Sequence, residues 1–435
     1  MNCFLRLNGY AFLGIVAALS FQGCSTSYST YLFMEPSLAS ISIVDRNGFS
    51  ETISNQDRLR QYEGVDFLSN HPYQKVLRIY QRDREGNIHA YITSYHPNGQ
   101  PKQYLEISNH RASGSYQEWH PNGIHKLSAW VIGGEPDIDP SSQRSWLFEG
   151  SSQVWDDAGH LIAEIPYAHG ELEGTSHYYH LNGAIWKKIP FCKNLQHGTE
   201  EWLRDNGTLF QKIDYCRGVK HGPSFRYWTD NRLAAEETYH QGLLQTAVYY
   251  LPDGEIVGSI KDGKGTRVLF GKDAVCELQE YQHGIQEGQI KLFAENGILV
   301  RIYHMKNELK DGEEVEYYPL CSADVPQQPS LLIQWSQGNI QGVVKTWYPN
   351  GVQESQREMN QNKKDGILTA WFEDGSLMMI ERYEQDKLME GQYFLRGEKS
   401  PFSEIYGGKG TATLFDSRGN IIKKVQYHSS KPIEE

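Results

Sequence analysis

A period of 24 residues constrains this 435-residue chain more than any other feature. One turn signature returns along it: Tyr95-His-Pro-Asn-Gly99, Trp119-His-Pro-Asn-Gly123, Trp155-Asp-Asp-Ala-Gly159, Tyr179-His-Leu-Asn-Gly183 and Arg204-Asp-Asn-Gly207. It continues as Leu251-Pro-Asp-Gly254, Ala294-Glu-Asn-Gly297, Tyr348-Pro-Asn-Gly351, Phe372-Glu-Asp-Gly375 and Asp416-Ser-Arg-Gly419. Gly99 and Gly123, Gly159, Gly183 and Gly207, and Gly351 and Gly375 are each 24 apart, and Asn231 fills the slot after Gly207. Two intervals are longer, and their excess falls on Gly133 to Arg144 and on Cys321 to Ser330. Self-similarity at such a period means an array, in which each unit buries its apolar side against its neighbours.

The turn chemistry names the unit. In Pro-Asn-Gly and Pro-Asp-Gly, proline presets the negative φ of the second position, Asn or Asp fits the third, and glycine takes the left-handed fourth. That is a type I turn closed by a G1 bulge. A second glycine series falls 15 residues after the first, at Gly114, Gly174, Gly198, Gly222, Gly288, Gly312 and Gly366. Large apolar residues stand four before the first turn at Tyr95, Trp119, Trp155, Tyr179, Tyr227, Tyr250, Phe293, Trp347, Trp371 and Phe415. Another set follows it by eight, including Tyr167, Phe191, Tyr215, Tyr239, Tyr281, Tyr383 and Tyr427. Each period therefore reads as strand, tight turn, strand, wider turn. The expected fold is all-β, an elongated single-layer antiparallel meander of about fourteen β-hairpins extending on the order of 130 Å before twist.

The expected organisation has four parts. Residues 1–23 form a signal peptide, 24–89 an N-terminal segment and cap, 90–428 the hairpin array, and 429–435 a flexible tail. Within the cap, Ile41 to Thr52 reads as a hairpin around Asn47-Gly48. Ser54 to Leu68 holds a short helix capped by Asn55 or Ser54, and Lys75 to Tyr91 reads as two strands around Gly86-Asn87.

Tyr167-Ala-His-Gly-Glu-Leu-Glu-Gly174, Tyr215-Cys-Arg-Gly-Val-Lys-His-Gly222 and Tyr281-Gln-His-Gly-Ile-Gln-Glu-Gly288 resemble MORN-type repeats, in the variant found in the YwqK-like antitoxin family. The resemblance covers about residues 90 to 428. It implies a repeat scaffold, a lipid-contacting module or an antitoxin, and it does not choose among them.

The first thirty residues read as an address. Arg6 is the only charge before Cys24, and Ala11 to Phe21 is an apolar run too short to span a bilayer but suited to a secretory signal. Phe21-Gln22-Gly23-Cys24 resembles the lipobox of bacterial lipoproteins, which implies that Cys24 is lipidated and becomes the mature N-terminus. The alternatives are an ordinary signal peptide cut near Ala18 or Ser20, or an uncleaved anchor. Lipidation would place the protein at the cell envelope, on the inner or the outer membrane.

Chemistry is thinly represented. A formal net charge of −12 argues against nucleic acid as a partner. At 39% hydrophobic residues the chain is not a polytopic membrane protein. His96 and His120 share one repeat slot and His197 and His221 another, and no zinc, EF-hand or HExxH spacing occurs. No metal or cofactor is expected. Gly263-Lys-Gly-Thr266 and Gly407-Gly-Lys-Gly-Thr411 lack the phosphate-loop spacing and fall where the repeat calls for turns. Glu200-Glu201 and Glu313-Glu314 sit on strands whose neighbouring residues face opposite sides, so no catalytic residues are nominated. Cys192 and Cys216 separate two architectures. Equivalent residues of a meander lie roughly 9.5 Å apart, too far for a disulfide, whereas a β-helix coil would bring them within ~4.8 Å.

The aromatic rows remain. Tyr95, Trp119, Trp155, Tyr179, Tyr227, Tyr250, Phe293, Trp347 and Trp371 either stack rung on rung as a stabilising element or line a surface for a partner. The expectation is a non-enzymatic envelope lipoprotein, a scaffold held by its lipid anchor and contacting an unidentified protein partner or the membrane surface. The alternatives are an antitoxin or immunity-type factor, and an envelope enzyme.

Overall fold

The computed structural model describes residues 37–272, 274–319 and 327–433. Cys24 with the whole signal segment, the turn slot at Asp273 and much of the Cys321 to Ser330 insertion lie outside the described residues.

The described residues form one open antiparallel sheet of 35 strands in a meander, except that at the N-terminus Ser37–Asp45 pairs with both Ser50–Ile53 and Gln74–Arg82. Fourteen hairpins cross the first turn series. Where the turn signature itself stands, the turns have the expected geometry. The Gly99 N–H donates to the His96 carbonyl at 2.8 Å, the His96 N–H donates to that of Gln100 at 2.8 Å, and the register slips between Ser94 and Tyr95.

The other edge differs from expectation. The turn read as the wider one is the tighter, a two-residue type I′ turn with both φ positive, as at Lys193 (φ 49) and Asn194 (φ 64). The second glycine series is not in this turn. It lies within the following strand, at a bulge where the register jumps, as between Ile213 and Tyr215 opposite Gly222. The side chain across the bulge takes the N–H left free there. Ser115 donates to Glu106, Gln289 to Glu280, Val343 to Gln334 and Ile367 to Glu358.

This bulge bends the hairpins that carry it. Gln196 and Glu200 flank Gly198 on one strand run, and extended backbone would hold their Cα atoms about 13 Å apart. Their side chains are hydrogen bonded at 2.6 Å. Lys310 and Glu314 are joined in the same way across Gly312 at 2.7 Å. The hairpin tips therefore fold over one face of the sheet and make it a groove. Successive tips then touch through their backbones: the Gly218 N–H donates to Gln196, Gly242 to Lys220 and Asp386 to Lys364, each at 2.8 Å. The flat-meander spacing assumed between equivalent residues thus fails at the tips, although Cys192 and Cys216 are free thiols. At the opposite edge successive turns stay apart and are bridged by side chains.

Folded tips explain how a single sheet acquires a core. The position two after the bulge glycine is buried along the array, at Tyr116, Ser152, Ser176, Glu200, Ser224, Ile290, Glu314 and Val344. At the N-terminus, strands Ser37–Asp45, Ser50–Ile53 and Gln74–Arg82 carry a one-turn helix, Gln56–Leu59, capped by Asn55. Ile41, Ile53, Leu59 and Leu77 form the core there. The Gly133 to Arg144 insertion folds onto the array. Trp146 packs on Tyr116 at 4.7 Å, and Asp137 accepts from Arg78 at 2.8 Å. At the far end, Ser429 and Ser430 make a type I′ turn and Lys431–Pro432 pairs with Tyr427 and His428, so the tail read as flexible from residue 429 is ordered through its turn.

Candidate binding surfaces

Of the nine aromatics nominated from sequence, Tyr95 and Trp119 are buried. Trp155, Tyr179, Tyr227, Tyr250, Phe293, Trp347 and Trp371 are half-buried. They do not form one continuous row of stacked rings. His125 stands between Trp119 and Trp155, at 5.2 and 6.2 Å, and the Tyr95 hydroxyl donates to the Phe67 carbonyl at 2.7 Å. Their repeated partnership runs through the backbone. At the first-turn edge, in several repeats a side chain that opens the turn reaches the carbonyl of the aromatic in the next repeat. His96 contacts Trp119 at 2.8 Å, His120 contacts Trp155 at 3.0 Å, Trp228 donates to Tyr250 at 3.1 Å and Tyr348 to Trp371 at 2.9 Å. The paired histidine slot thus has a structural partner. Among the described residues no cluster of metal-ligating side chains occurs, and no helix is long and apolar enough to cross a membrane.

The groove holds what sequence reading missed, a file of buried carboxylates. Glu200 is paired with Lys187 at 2.8 Å and accepts from the Trp202 indole at 2.6 Å. Glu201, its neighbour, faces the other side and pairs with Lys188. Glu314, fully buried, meets Lys310 and the Trp335 indole, both at 2.7 Å. Glu237 accepts from the Tyr239 and Tyr249 hydroxyls, each at 2.8 Å, and pairs with Arg267 at 2.9 Å. Burial alone would raise the Glu237 pKa, but Arg267 and these hydrogen bonds outweigh it and hold the carboxyl below its usual range. Burial beside that carboxylate pushes the Tyr239 and Tyr249 hydroxyls well above the usual phenol range.

The same clamp recurs at Glu381, bound by Tyr393 at 2.6 Å and Tyr383 at 2.9 Å. A signal for it was present. Glu237-Thr-Tyr239, Tyr249-Tyr-Leu251, Gly263-Lys-Gly-Thr266 and Leu269-Phe270 return 144 to 145 residues later as Glu381-Arg-Tyr383, Tyr393-Phe-Leu395, Gly408-Lys-Gly-Thr411 and Leu414-Phe415. Six periods make one longer repeat. Both Gly-Lys-Gly-Thr motifs mark a hairpin with strands of 6 and 7 residues, against 8 and 9 in a regular unit such as Leu209–Cys216 and Val219–Tyr227.

Two surfaces are open to a partner. The stacked tips carry aliphatic residues at one slot, with Leu195 49% exposed, Val219 46%, Leu243 39%, Ile285 38% and Leu309 47%, and with Lys264 in that slot between Leu243 and Ile285. A cleft of about 690 Å³ opens between the cap helix and the first strands, lined by Leu38, Leu59, Tyr62, Phe67, Tyr91 and Tyr104 among others.

No family model and no curated protein sequence matches this chain. Structural comparison finds TcdB2–TccC3 without its hypervariable C-terminal region, at 11% identity and a TM-score of 0.14 over 86% of this chain and 26% of that one. It also finds a porin-like protein from Bacteroides uniformis, at 9% identity and a TM-score of 0.15 over 61% of this chain and 96% of that one. Overlaps this faint carry no argument about fold or function.

Proposed function

We propose that this chain is a non-enzymatic binding scaffold of the cell envelope. In this reading it is a MORN-variant hairpin array, tethered through a lipidated Cys24, that offers rows of equivalent side chains to a protein partner. The observation that carries the reading is the aliphatic slot on the stacked tips. Single exposed leucines are ordinary on a soluble protein, but exposed aliphatics recurring at one slot of neighbouring hairpins are a surface that binding would cover. An array of this kind multiplies one shallow contact along its length, and each added contact raises the effective concentration of the next.

The test is photo-crosslinking in cells from a probe amino acid placed at Val219, Leu243 or Leu309, with Lys212 on the other face as control. The expected result is one protein captured from all three tip positions and not from the control. Capture from the control alone would sink the reading, and an equimolar complex with an effector whose activity it blocks would move the assignment to the antitoxin alternative. The tether is tested separately by fatty-acid labelling. Label is expected in the wild type and absent in Cys24→Ala, and equal absence in both would remove the anchor.

A further inference from the structure

The array curls where its hairpins shorten, and there it gathers positive charge with which, among the described residues, no carboxylate forms a direct ion pair. Arg204 and Arg226 lie over the same Phe210 ring, at 5.2 and 5.1 Å from its centroid. They line a cleft of about 290 Å³ together with Tyr227, Trp228, Thr229 and Lys272. The groove's other arginines and lysines are largely paired: Arg267 with Glu237, Arg301 with Glu314 and Glu316, Lys187 with Glu200. Among the described residues, neither Arg204, Arg226 nor Lys272 forms an ion pair.

What holds the two guanidiniums in place is backbone. Arg204 donates to the carbonyls of Leu209 at 2.8 Å and Tyr227 at 2.6 Å. Arg226 donates through one terminal nitrogen to Phe270 at 3.0 Å and Gly271 at 3.2 Å. Its Nε is buried with no partner, which is costly for a charged donor taken out of water. Burial first, and the neighbouring Arg204, lower the Arg226 pKa against the opposing pull of Cys276 and of the more distant Glu237. The packing therefore fixes two like charges on one ring and leaves Arg226 short of an acceptor.

We propose that this cleft is a binding site for a small oxyanion of the phosphate or sulfate class, held by Arg204 and Arg226 with Lys272 at the lip. Guanidinium forks match tetrahedral oxyanions. The volume lies at the lower limit for ligand pockets and accommodates a single anionic group. The site is specific to this place in the array. The positions 144 residues on from Arg204 and Arg226 are Tyr348 and Ala370, so the second copy of the longer repeat lacks it.

The test is calorimetric titration of the full chain in detergent with inorganic phosphate, then with sulfate, at constant ionic strength set by chloride. Saturable binding is expected, weakened about tenfold or more by Arg226→Met, in line with loss of a charged hydrogen bond. Thr229→Glu is the second variant, because Thr229 is an exposed turn residue and the substitution sets a carboxylate at the lip without touching the packing. It should abolish binding while leaving the circular dichroism spectrum unchanged. Wild-type heats no larger than those of chloride would overturn the proposal, as would undiminished binding by Thr229→Glu. Asp273 follows Lys272 in sequence, so binding that emerges only in Asp273→Asn would overturn it as well, by showing a site already neutralised from within.

Discussion

The regular repeats from Trp155 to Tyr227 and the short-period segment from Trp228 to Tyr281 share a turn pattern and a topology, yet they build different interiors. The regular stretch buries Ala163, Ser176, Glu200, Ile213 and Ser224, mostly small or polar groups. The short segment buries Trp228, Tyr239, Leu244, Tyr249, Ile260, Val268 and Phe270 in one cluster. The cause is strand length. Ile256–Lys261 and Lys264–Phe270 bring the tip close to the first-turn edge. The sheet then curls until Trp228 meets Phe270 at 4.9 Å and Arg226 reaches the Phe270 carbonyl, 44 residues away in sequence. In the regular stretch the corresponding edge contacts join only neighbouring repeats, as between His180 and Leu203. A few residues removed from a period thus convert an open groove into a closed core, and the segment Phe372 to Tyr427 repeats the device, with Phe372 on Phe415 at 5.9 Å.

Substitutions can break this contrast, and local opening measured by hydrogen exchange reads it region by region. The largest effect is expected from Phe270→Ala, which should cost the closed segment about 3–5 kcal/mol by leaving a cavity. Phe191→Ala in the open groove should cost about 1–2 kcal/mol, since a half-buried ring has less to lose. Equal costs would refute the distinction between closed and open interiors.

Arg267→Met comes next. It strands the Glu237 carboxylate among two tyrosines, at a cost of about 3 kcal/mol. The second copy carries Ala412 at the matching position, so Ala412→Arg should leave protection near Glu381 intact or raise it.

Glycine substitutions sharpen the comparison further. A Cβ on Gly265 (φ +146) would stand 2.1 Å from the Ser259 carbonyl oxygen, whereas one on Gly222 (φ +96) would meet Asp214 at 3.4 Å. Gly265→Ala should therefore cost roughly 2–3 kcal/mol and Gly222→Ala about 1 kcal/mol.

The smallest effect is pH-dependent. Glu237 has its folded pKa below the 4.5 of the free side chain, so its contribution is complete above that pH and is lost as pH falls through the folded value. Glu237→Gln should reduce the acid-induced loss of protection in the closed segment, while the open stretch titrates alike in both proteins.

Much of the architecture was legible because turns are local. Pro-Asn-Gly encodes its own dihedrals, so the hairpin count, the bulged type I turns and the antiparallel order follow from residues a few positions apart. The second edge was misread because Gly170 and Gly174 look alike as letters. One closes a type I′ turn and the other accommodates a bulge within the strand, and only the pairing register tells them apart. The carboxylate file was hidden for a similar reason. Glu200 and Glu201 are indistinguishable in sequence, and the bend at Gly198 decides which one lies beneath the tip.

By itself, the sequence determined a period, and with it a one-dimensional order of hairpins, because neighbouring units must pair to satisfy their backbone hydrogen bonds. Tertiary structure alone decided where the groove opens and where it closes. That depends on the bend summed over successive hairpins, which brings Arg226 to Phe270 and Glu237 to Arg267 across strands that no local pattern connects.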